Sequence, residues 1–132
     1  MSGTLKEIVF DCKGAAPLAR FWAQVLTGYA VRPYDDEEII RLAKLGYTPE
    51  TDPIVLVDGP GPSLCFQETE RGRAQGRIHL DVEVSDRSAE RARLIGLGAS
   101  VDREADGYTV MADPEGNLFC VVEPRWPVVP RG

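Results

Sequence analysis

Ala112-Asp113-Pro114-Glu115-Gly116-Asn117-Leu118-Phe119-Cys120 is a turn with a strand on either side. Asp at the first position, Pro at the second and Gly at the fourth are the residues a type I β-turn favours. Apolar runs flank them, Tyr108 to Ala112 before and Leu118 to Val122 after, which predicts a β-hairpin. Cys120 sits at the centre of the second strand, four residues beyond Gly116.

Working back along the chain, the hairpin closes a pattern that occurs twice. Glu7 to Cys12 reads as a strand, followed by an amphipathic helix with Leu18, Phe21, Trp22, Val25 and Leu26 at helical spacing and Pro17 in its first turn. Gly28 ends that helix. Strands are then expected at Tyr29–Arg32, Ile54–Val57 and Ser63–Gln67, the last two joined by the strong turn signal Asp58-Gly59-Pro60-Gly61-Pro62. The second half repeats the order. Arg77 to Val84 alternates apolar and polar residues, a helix from about Ser88 to Leu97 ends at Gly98, and Ala99–Asp102 precedes the hairpin strands. Strand, helix and three strands thus recur at a spacing of roughly 70 residues. The expected organisation is a single domain over residues 1–126, with modules at about 5–70 and about 75–124 and a flexible proline-rich tail at 127–132.

One segment has no counterpart. Asp35 to Gly46 reads as an extra short helix, with acids in its first turn, bases later and a terminal glycine. A packed surface insertion is expected there, with a mobile lid as the alternative.

Composition narrows the partners. The chain has 132 residues, 43% hydrophobic and 27% charged, with a net charge of −6, as expected of an ordinary soluble globular protein able to bury a core without staples. Nucleic acid and anionic membrane surfaces need a basic patch, which the sequence lacks. No signal peptide or membrane span is apparent, and Cys12, Cys65 and Cys120 read as reduced, mostly buried thiols; the cytoplasm is the expected compartment. No phosphate-binding glycine loop or nucleophile elbow is present.

Strand alternation sorts the polar residues by face. Ile8, Phe10 and Cys12 are expected to face the helices and Glu7, Val9 and Asp11 to oppose them. The same reading sets Cys65 and Gln67 against Leu64 and Phe66, His79 and Asp81 against Ile78 and Leu80, and Cys120 against Phe119 and Val121. Glu7, Asp11, Cys65, Gln67, His79, Asp81 and Cys120 then share a sheet face too polar for a sandwich core and suited to a small ligand. His79, the only histidine, is the candidate general base, with Asp81, Asp11 or Glu7 to orient it. Asp11 and Asp81, at similar places in the two halves, are expected at a solvated rim, with facing each other across the cleft as the alternative. Core packing is expected to account for at least one of Phe21 and Trp22, and Trp126 is assigned to a dimer interface or the edge of the cleft.

Three blocks, Ile8 to Trp22, Ile78 to Val82 and Asp113 to Asn117, together resemble the vicinal oxygen chelate superfamily, which includes glyoxalase I, extradiol dioxygenases, fosfomycin-resistance transferases and bleomycin-binding proteins. The blocks look most like its glyoxalase-like subgroup. The resemblance implies an α+β fold of two βαβββ modules forming a curled mixed sheet around a cleft, in a homodimer. It also implies a divalent metal, with Glu7, His79 and Cys120 at the ligand positions. Cys120 stands where such members carry a glutamate. A Glu/His/thiolate set suits zinc better than magnesium or manganese, while a free cysteine on a buried strand is commonly a small apolar filler. The expectation is therefore a small-molecule-binding protein without the usual metal centre. The alternatives are a metal-dependent lyase or isomerase with an altered site, and a non-catalytic assembly or regulatory domain.

Overall fold

The computed structural model describes residues 5–69 and 80–124. His79, Trp126 and the tail therefore lie outside the described residues. The chain divides into two compact units between Gln75 and Gly76.

The first unit holds β1 (Glu7–Cys12), α1 (Ala15–Val25), β2 (Ala30–Val31), α2 (Asp36–Lys44), β3 (Ile54–Asp58) and β4 (Ser63–Glu68). Its sheet has the order β1-β4-β3-β2, with β1 parallel to β4 and the other pairs antiparallel. The core lies between this sheet and α1. Alanines 15, 16 and 19 let the helix approach closely, and Leu18, Phe21, Trp22 and Val25 are buried. The Phe10 ring stacks on Phe66 at 4.8 Å and meets Trp22 at 5.6 Å. Burying side chains of this size stabilises by about 1.5–3 kcal/mol each. No acid lies in the first turn of α1; Glu68, from the end of β4, supplies one, its Oε2 accepting from the Ala15 amide at 3.0 Å.

The second unit repeats the topology with β5 (Leu80–Glu83), α3 (Arg87–Leu97), β6 (Ser100–Ala105), β7 (Tyr108–Ala112) and β8 (Leu118–Val122), in the order β5-β8-β7-β6. β5 is parallel to β8. Asp86 caps α3 by accepting from the Ala89 amide, and Gly98 ends it at φ 115°. The architecture is α+β, two four-stranded mixed sheets of the same strand order, as expected.

Two strands depart from their expected limits by more than a single residue, while β3, β4 and the described end of β5 differ by one. β2 is only Ala30–Val31, because Tyr29 leaves the ladder, lies over Gly59 and Gly61 and donates its hydroxyl to the Pro62 carbonyl. A side chain at Gly59 would strike the Tyr29 ring. β6 continues to Ala105 rather than stopping at Asp102. A register shift between Val101 and Arg103 restores its pairing with β7, and Gly107 at φ 87° makes the turn.

The β7–β8 turn is built on Asp113, 3% exposed. The Gly116 amide donates to the Asp113 carbonyl at 2.8 Å. The Asp113 carboxylate accepts from the amides of Glu115 and Asn117 and from the Asn117 side chain, at 2.9–3.1 Å. Gly116 has φ 86°.

Candidate functional site

Residues paired across a ladder share a face. In the first unit the register Phe10↔Phe66 belongs to the core, so Glu7↔Ser63, Val9↔Cys65 and Asp11↔Gln67 point away from α1. Ile54 and Leu56 join them from β3 through the pairs Ile54↔Gln67 and Leu56↔Cys65. Glu7, Asp11, Cys65 and Gln67 are thus together, as expected from alternation. Asp11 is exposed and accepts a long contact of 3.5 Å from the Gln67 amide. Val9 and Ile54 are 50% and 52% exposed on this face. Cys65 is buried beneath it. Burial pushes the Cys65 thiol up, and the nearby Glu7 carboxylate adds to the effect. Cys65 is therefore a neutral thiol at neutral pH, suited to floor the face rather than to attack or bind metal.

One end of the face carries a charge cluster that alternation did not single out. Arg32 donates from Nε and Nη2 to the two oxygens of Asp58 at 2.7 and 2.9 Å, and Ser63 donates to Asp58 at 2.6 Å. These hydrogen bonds hold the Asp58 carboxyl at about 2, below its ordinary 3.8. The same bond to Asp58 raises the Arg32 guanidinium, with Glu38 and Glu7 adding smaller contributions. Asp58 was legible as a turn residue only; its partner Arg32 lies 26 positions away.

In the second unit Asp81↔Cys120 and Val110↔Cys120 share the face opposite Phe119 and Val121. Asp81 is exposed, like Asp11. Cys120 is 3% exposed and packs with Val110 and Val122, Tyr108 lying against them. The described residues of this cluster are apolar, as around a small filler, and Asp81 stands beside Cys120 in the register.

Of the metal candidates, Glu7 and Cys120 belong to different units, and His79 lies outside the described residues. Among the described residues no three His, Cys, Asp or Glu side chains gather as a metal-holding group. The donors described do not fit an oxygen-rich divalent site: the last-strand position offers a sulfur set among valines instead of a carboxylate.

A family model described as a glyoxalase-like domain matches residues 7–122. The chain belongs to this glyoxalase-like family, within the vicinal oxygen chelate superfamily. Solved structures share the fold at low identity. A glyoxalase-related enzyme from Fulvimarina pelagi is 18% identical, with a TM-score of 0.65 over 97% of this chain and 94% of that one. A glyoxalase/bleomycin resistance protein/dioxygenase family enzyme from Burkholderia phytofirmans PsJN is 16% identical, with a TM-score of 0.63 over 92% and 98%. The fosfomycin resistance protein FosX from Mesorhizobium loti is 14% identical, with a TM-score of 0.62 over 92% of each chain. No curated protein matches the chain. Among the described residues, no helix of this glyoxalase-like protein is long and apolar enough to cross a membrane.

Proposed function

We propose that this glyoxalase-like protein binds a small molecule against the open face of its first sheet, without the divalent metal centre of catalytic relatives. One observation carries the reading: Val9 and Ile54 stand half exposed on that face beside Glu7, Asp11 and Gln67. An apolar floor with a few polar groups at its margin takes up an apolar body and orients its polar end. The burial of Cys120 among valines supports the metal-free form of the reading. His79 keeps its place as the candidate base only within the alternative, the altered-site lyase, and no step is derived through it.

The test is binding of the neutral apolar dye Nile red, followed by fluorescence, with Val9→Asp and Ile54→Asp as variants. Both sites are exposed, so the variants are expected to keep the thermal midpoint while weakening the dye at least tenfold. Equal binding by the wild type and both variants would place the dye elsewhere and remove this reading.

A further inference from the structure

The connection from β2 to β3 leaves the sheet after Arg32, whose amide donates to the Leu56 carbonyl at 2.8 Å. It returns at Ile54, on the open face. Through Tyr34 and Asp52, whose carboxylate accepts from the Ile54 amide, the stems reach the end of the face marked by Ile54, Gln67 and Asp11. Within the excursion α2 buries only Leu42, while Ile39, Ile40, Leu45 and the following Tyr47 are exposed, Ile40 at 56%. Glu38, in its first turn, lies close enough to bear on Arg32 and Tyr34.

The base of the excursion is closed by one side-chain pair. The Tyr34 hydroxyl donates to Asp52 Oδ2 at 2.7 Å, and Asp52 Oδ1 accepts from the Ile54 amide at 2.9 Å. Asp52 is 6% exposed. Burial, then the bond to Asp52, raises the Tyr34 phenol well above its ordinary value, so it remains a donor at every physiological pH. Beyond the latch the segment carries its own local structure. Asp35 accepts from the Glu38 amide, Thr51 accepts from the Thr48 amide, and Gly46 turns at φ 88° with open space around it.

We propose that residues 35–51 form a lid, hinged at the Tyr34–Asp52 latch, that closes its exposed isoleucines over Val9 and Ile54 when the open face is occupied. Apolar surface left exposed on both partners is the driving force for closure. A segment with one buried side chain opens locally at lower free energy than the core. The proposal rests on the ligand-face reading above.

Hydrogen exchange of the full chain tests it, with and without bound Nile red. In the free protein the amides of 39–44 are expected to exchange at least a hundredfold faster than those of α1. Tyr34→Phe is expected to speed α2 about tenfold while leaving α1, β3 and β4 unchanged. Bound dye is expected to slow α2 at least fivefold, and Ile40→Asp to abolish that slowing. Exchange of α2 as slow as α1, equal acceleration of every element by Tyr34→Phe, or dye binding with α2 unaltered would each overturn the lid. A dye that fails to bind while α2 still opens alone overturns the ligand-face reading and leaves the latch standing.

Discussion

Asp113 shows how one side chain can hold a fold feature together. Its buried carboxylate satisfies two amides and the Asn117 side chain, and its removal leaves those donors without an acceptor. Asp113→Ala is expected to cost about 1–3 kcal/mol in urea denaturation. Cys120 makes the opposite case: within the Val110–Val122 cluster it behaves as a small hydrophobe. Cys120→Val should stay within about 1.5 kcal/mol of the wild type, whereas Cys120→Glu buries a carboxylate among valines and should cost at least ~3 kcal/mol. Asp58 carries a pH signature. Its folded pKa is depressed to about 2, so the stability it adds is fully present above its ordinary 3.8 and is lost as pH falls toward 2. The pair with Arg32 is half exposed, which limits its worth to about 0.2–1 kcal/mol. Wild type and Asp58→Asn should therefore differ by that amount at pH 6 and converge as pH falls below 2.

At the scale of elements, the strands and helices with clear periodicity were legible. β1 matches its expected limits, α1 has Pro17 in its first turn as expected, α3 begins one residue before its expected start, and the helical insertion is real, with Asp35 as its cap. Asp86→Ala should likewise cost α3 about 1 kcal/mol, read from the thermal midpoint. The misses have a common cause. β6 runs on past Asp102 through Arg103-Glu104, whose polarity hides a strand. Glu104 is held from three sides, accepting from Thr109 at 2.8 Å and pairing with Arg91 at 2.7 Å and Arg87 at 4.0 Å. Arg32–Asp58 and Tyr34–Asp52 are the same kind of feature. Each joins positions far apart in sequence, and periodicity carries no information about such pairs.

For the whole molecule, the repeat was the strongest signal in the sequence. Two copies of one supersecondary unit leave few topologies open, and both sheets show the same order. The candidate site was legible by face, since alternation brought Glu7, Asp11, Cys65 and Gln67 together. Burial was legible as well: Cys65 and Cys120 are covered while Asp11 and Asp81 are exposed, as expected, and what the sequence hid was the pairing of Arg32 with Asp58. Fold membership does not by itself confer an activity, and position 120 carries a sulfur where the resemblance implies a glutamate. Elemental analysis of the full chain, purified without chelators, tests that departure most directly. The account predicts far less than one divalent ion per chain and no thermal stabilisation by zinc, nickel, manganese or iron. About one ion per chain, lost in Glu7→Ala, would contradict it.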